Sequence, residues 1–100
     1  VTKQQTEPGD YVVVTDTHRD LYCGVLVHYD RALQHAVVRE CRKIWRYYVA
    51  GCGIGDLAVN GLTEGSESRI DTPTPLHEIG DVHSVILTTE AGERSLREWR

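Results

Sequence analysis

Few side chains in this 100-residue sequence combine a reactive type with a useful spacing. The run Gly51-Cys52-Gly53-Ile54-Gly55 puts three glycines into five positions, and glycine lets backbone N–H groups come close to an oxyanion. The dinucleotide fingerprint needs glycine where Asp56 stands, and the phosphate loop of nucleotide hydrolases needs a Gly-Lys-Ser/Thr that is absent. The run therefore reads as a turn, of a kind that can also close over a ligand. His18, His28, His35, His77 and His83, with Cys23, Cys41 and Cys52, are metal-ligand types without Cys-x-x-Cys or His-x-x-x-His spacing, so no metal is expected. Asp16, His18 and Asp20, or Cys52 with a distant histidine, have hydrolase residue types but no nucleophile elbow or paired-carboxylate framing. The expectation is a binding module, not an enzyme, and no cofactor.

Charge narrows the class of ligand. Eleven Lys and Arg against fifteen Asp and Glu give a net charge of −4, which argues against broad, sequence-independent nucleic-acid binding. Arg39, Arg42, Lys43 and Arg46 nevertheless crowd four cations into eight positions at one strand end. They read as a charged sheet edge that resists unwanted strand pairing. Three cysteines without paired spacing fit a reducing compartment. No apolar run reaches the ~20 residues of a membrane span, and the first residues lack a signal-peptide core, so a cytoplasmic location is expected. Five Tyr and two Trp, with no Phe or Met, give the large side chains polar tips suited to an interface or pocket rim.

The elements that must position these residues are mostly strands. Residues 1–9 read as a flexible arm, and 10–100 as a single β-rich domain. Tyr11–Thr15, Leu21–Tyr29 and His35–Trp45 are predicted strands, joined by polar turns at 16–20 and 30–34. Both alternating faces of the second strand are largely apolar, so it is expected to be central, and Gly24 within it marks a sharp bend. A short helical turn closed by Gly61 is expected over 56–62, and an extended segment over 72–75. A last strand to Leu87 should bend at Gly80-Asp81. A helix over 89–99 should be capped by Thr88 or Thr89 and pack Ala91, Ser95, Leu96 and Trp99 on one face. The fold class is α+β, mainly β: a strongly bent antiparallel sheet, a barrel-like N-terminal meander, with a Gly-rich loop and a C-terminal helix.

The stretch from Gly24 through Leu26, Tyr29-Asp30, Leu33-Gln34 and Val37 resembles the first motif of Sm-like RNA-binding proteins, with Gln34 where that family has Asn. The family's second motif, a short strand ending in Arg-Gly or Lys-His, is missing. A wider resemblance takes in His18-Arg19, Gly24, Ile44-Trp45, Gly55-Asp56-Leu57-Ala58-x-x-Gly61, Ser68-Arg69-Ile70 and Thr89-x-Ala91 to Trp99. This set is similar to a group of small phage and prophage proteins, and through them to the Thoeris anti-defence sponges, although Lys43-Ile44 and Asn60-Gly61 depart from the common pattern. The resemblance implies a homo-oligomer in the cytoplasm of an infected or lysogenic bacterium, with pockets at subunit contacts. It would sequester a cyclic ADP-ribose isomer or cyclic oligonucleotide without cleaving it. His18, Arg19, Tyr22, Trp45, Gly53, Gly55, Ser68 and Arg69 are the ligand-binding residues expected on that basis. Trp45 and Tyr22 would supply stacking rings, Arg19 and Arg69 guanidinium donors, and the glycines and Ser68 close amides and a hydroxyl. Sm-like RNA binding, or a phage structural or host-interaction role, are the alternatives.

Overall fold

A computed structural model of the chain describes residues 3–51 and 53–100. Three long strands form in chain order: β1 (Tyr11–Asp16), β2 (Leu21–Asp30) and β3 (His35–Arg46). After helix α1 (Gly53–Asn60) come the two-residue β4 (Arg69–Ile70), β5 (Thr74–Ile79), β6 (Val82–Leu87) and helix α2 (Glu90–Glu98). All pairings are antiparallel. One edge of β3 holds β2 along most of its length, while the other is shared between β5 and β4. The far side of β2 holds β1, which in turn holds β6.

The expected last strand is two strands. Its Gly80-Asp81 bend carries the chain from the β3 margin of the sheet to the β1 margin, so β5 and β6 pair with different neighbours. At this corner Asp81 accepts from the Thr17 amide at 2.9 Å, and the Val82 amide donates to the Gln34 carbonyl at 2.9 Å. Thr17 and Gln34 belong to hairpin turns at opposite ends of β2. The sheet therefore coils until those ends meet, and covalent continuity through residues 80 and 81 joins its margins without closing the ladder.

This coiling makes two cores. Val12, Val14, Tyr22, Leu26, Ala36, Val38, Cys41, Ile79 and Val82 fill the inside of the curve. Tyr11, Val13, Leu21, Cys23, Val25 and Ile44 line the outside, beneath Leu57, Ala58, Leu62 and Leu96 of the helical layer. Both faces of β1 and of the first six residues of β2 are thus buried, while β2 from Val27 on is more exposed. β3 comes very close to β2 at Gly24, where a Cβ would stand 2.5 Å from Val38 Cγ1 and 2.8 Å from the Arg39 carbonyl oxygen.

Opposite Gly24, β3 carries an extra residue. The pairing slips between Cys23↔Arg42 and Val25↔Arg39, and Glu40 takes a φ of +52°. Before this bulge, Ala36 and Val38 face inward; after it Cys41 does, and Arg42 and Ile44 turn toward the helices. Arg42 is consequently buried at 6 % exposure. Its Nε donates to the Asp71 carbonyl, Nη1 to that of Leu96 and Nη2 to that of Trp99, each at 2.7 Å. The guanidinium satisfies the last carbonyls of α2 and meets the negative end of the helix dipole. The edge role read for Arg42 is corrected on this point.

α2 begins as expected, with Thr89 Oγ1 accepting from the Gly92 amide at 3.1 Å. Its buried positions are Gly92 and Leu96, and Ala91, expected on that face, is exposed. Gly92 lies against α1 so closely that a Cβ would overlap the Ala58 carbonyl oxygen. Of the expected arm, residues 1 and 2 lie outside the described residues. From Lys3 on, the segment is fastened by Lys3–Asp10 at 3.0 Å and by the Gly9 amide on the Leu26 carbonyl at 2.8 Å.

Candidate functional site

Past Glu40 the side chains of β3 divide between two surfaces, and the end of the strand presents Trp45 and Arg46 to solvent. Trp45 is 62 % exposed, high for an indole. The Lys43 ammonium sits 4.1 Å from the centre of its ring and also 3.7 Å from Asp20, which fixes one face of the indole. β4 then runs alongside with Ile70 opposite Ile44 and Arg69 opposite Arg46. The result is a groove of about 430 Å³ lined by Trp45, Arg46, Arg69, Ile70 and Asp71.

The two arginines define its electrostatics. They are cross-strand neighbours, and like charges in that position repel. Among the described residues neither is in an ion pair, whereas Arg39, Lys43, Arg94 and Arg97 all have acidic partners. Asp71 is the one carboxylate on the groove wall. A pair of guanidinium forks beside an open aromatic face suits a phosphate attached to a flat base.

Tyr47, the next residue in the chain, belongs to the lining of a second cavity, of about 500 Å³. Leu21, Tyr47 and Ile54 are the large apolar residues of its lining, and Asp16, Arg19 and His83 are polar or charged ones. Arg19 is held at φ +69° by the β1–β2 turn, its amide donating to the Asp16 carbonyl at 3.1 Å.

The eight residues expected from the sequence are therefore distributed over several places. Trp45 and Arg69 share the groove, and Arg19 belongs to the second cavity. His18 projects from the exposed turn beside Arg19 and lines neither. Tyr22 is 8 % exposed inside the curved sheet, its ring 5.0 Å from that of His77, so it is core. Burial holds its phenol above the usual range. Ser68 is 7 % exposed; its Oγ accepts from the Tyr48 amide at 2.9 Å and is 2.8 Å from Ser66 Oγ, so it ties the chain to itself.

Gly53 and Gly55 lie in the first turn of α1, which starts earlier than expected, and Cβ atoms added there would meet nothing within 4 Å. The approach to that helix is tied down by Asp56, whose Oδ2 accepts from the Gly51 amide at 3.0 Å and Oδ1 from Asn60 Nδ2 at 2.7 Å. The bond from Gly51 holds the Asp56 carboxyl below its ordinary range. The anion this glycine run holds is the chain's own. Cys52 lies outside the described residues.

Arg46 and Tyr47 are the site residues that sequence reasoning missed. The pairing of Arg46 with Arg69 depends on a two-residue strand too short to leave a periodic signal, although the basic run containing Arg46 was visible.

The chain belongs to the family defined as a domain of unknown function, DUF6948, whose model matches residues 9–96. No curated protein and no solved structure matches it.

Proposed function

We propose that this member of an uncharacterised family captures a nucleotide-derived anion in the groove between β3 and β4 and holds it without cleaving it. The observation that carries this reading is the Arg46–Arg69 pair beside an exposed Trp45. Two unneutralised guanidinium groups across one ladder gain most from a doubly acceptor-rich ligand such as phosphate. The base would stack on the indole face that Lys43 leaves open. The resemblance to phage sponges points to a cyclic ADP-ribose isomer or cyclic oligonucleotide as the ligand, and to a homo-oligomer acting in the host cytoplasm.

Calorimetry with cyclic ADP-ribose isomers and cyclic dinucleotides tests the reading, followed by heat release and mass spectrometry of the bound ligand. Binding that falls at least tenfold in both Trp45→Ala and Arg69→Gln, with the ligand recovered intact, supports it. No binding, or recovery of a cleaved product, rejects it. Sm-like RNA binding has one observation of its own: Gly24 bends the hairpin and Leu26 points inward at 1 % exposure, as the family's first motif requires. It calls for affinity for single-stranded RNA that falls with salt.

A further inference from the structure

The cavity lined by Tyr47 takes no part in that reading, and its construction differs. Its volume of about 500 Å³ falls in the range of small-molecule sites, and its lining is mostly apolar where that of the arginine groove is mostly polar. Leu21 comes from β2, Ile54 from α1 and Tyr47 from the segment just after β3, so separate parts of the main fold contribute its apolar lining. A flat ring suits such a lining.

The polar lining residues say what that ring carries. Asp16 Oδ1 accepts from the His18 amide and from the Asp20 amide, both at 2.9 Å, which leaves its orientation fixed by the turn. Oδ2 accepts no hydrogen bond from the described residues and belongs to a residue on the cavity lining. A carboxylate oxygen accepts and does not donate, so it selects an N–H on the ligand. Arg19, which has no ion-pair partner among the described residues, belongs to the same lining and is a donor for an acceptor elsewhere on the ligand. We propose that this cavity is a second binding site, separate from the arginine groove, for a flat amino-substituted heterocycle of the aminopurine type. Its exocyclic amine donates to Asp16 Oδ2, and its ring lies among Leu21, Tyr47 and Ile54.

The proposal turns on the direction of one hydrogen bond, and that direction can be reversed. In Asp16→Asn the side-chain oxygen still accepts from the two turn amides, while the amide nitrogen replaces Oδ2 and becomes a donor. The ligand preference then passes from an amine to a carbonyl at the same ring position. Adenosine and inosine differ in that way and carry no phosphate, so they serve as probes that the arginine groove does not favour.

The experiment is an amide-resolved NMR titration of the full chain with each nucleoside. The expected result is saturable perturbation at Leu21, Tyr47 and Ile54 by adenosine, at least fivefold weaker binding of inosine, and a reversed order in Asp16→Asn. Ile54→Trp, which fills the cavity, abolishes both; if that variant does not fold, the Asp16→Asn reversal decides alone. The double variant Arg46→Gln, Arg69→Gln keeps adenosine binding, so failure of the groove reading and failure of this one are separable. Equal affinities, an unreversed order in Asp16→Asn, or shifts confined to Trp45 and its neighbours overturn the proposal.

Discussion

Arg46 and Arg69 stand opposite one another across the β3–β4 ladder, and neither finds an acidic partner among the described residues. The arrangement costs stability in the free protein, because like charges on facing strands repel by a few tenths to about 1 kcal/mol. It is therefore expected that Arg69→Gln is as stable as the parent or slightly more so. Adding sulfate or phosphate should raise the melting temperature of the parent more than that of the variant. Thermal denaturation across an anion series reads both. A variant less stable than the parent at low salt contradicts the repulsion.

Trp45 is expected to be dispensable for folding. At 62 % exposure, its replacement by alanine should change stability by no more than about 0.5 kcal/mol. Trp99 is the contrasting case: it is half-buried, and its indole Nε1 donates to the Ser68 carbonyl at 3.0 Å. Urea titration of the two alanine variants should show loss for Trp99 and almost none for Trp45.

Arg42→Met tests the buried guanidinium. The methionine fills comparable space but leaves the carbonyls of Asp71, Leu96 and Trp99 without their donor, at roughly 1–3 kcal/mol for each buried group that finds no replacement. Hydrogen exchange should accelerate first in α2, since its C-terminal end loses its anchor. Uniform acceleration across the sheet would show that Arg42 serves the core and not the helix.

Gly24→Ala should destabilise by about 1–3 kcal/mol or more, since the new methyl meets the Val38 side chain and the Arg39 backbone together. Gly55→Ala is the control, with open space at the same atom. Its helical position even favours alanine, by up to roughly 1 kcal/mol. Chemical denaturation of the pair separates a steric requirement from a general cost of removing glycine.

Cys23 and Cys41 are buried, and desolvation pushes their thiols up to about 11 and about 12. Above their ordinary value of 9.0 the unfolded chain loses these protons while the folded chain keeps them, so stability should decline as pH rises beyond about 9. In a Cys52→Ser background, a thiol reagent at neutral pH should label neither cysteine until denaturant is added. Rapid labelling of the native protein would contradict their placement in the two cores.

Much of the fold was legible in local pattern. β1, β2 and β3 begin at Tyr11, Leu21 and His35, Gly24 admits the close approach of β3, Gly61 follows α1 with φ +79° and Thr89 caps α2. The parts that were not legible depend on partners distant in sequence. An extra residue at Glu40 exchanges the faces of β3, so simple alternation put Arg42 on an edge when it is buried under α2. The stretch from Leu76 or Glu78 to Leu87 read as one strand because the pattern does not tell which neighbour each half will meet. The site was legible in part for the same reason. Trp45 and Arg69 come together through β4, whereas Tyr22 and Ser68, alike in residue type to ligand-binding groups, are consumed by the core and by a backbone contact.

The corner at Gly80-Asp81 also sets the order in which the protein can be made. β1 leaves the ribosome well before β6, so its outer edge waits for a partner made some seventy residues later in synthesis. Until then a growing chain carries an apolar strand with an unsatisfied edge. Such a strand is a natural place for a chaperone to bind and for two nascent chains on one message to tangle.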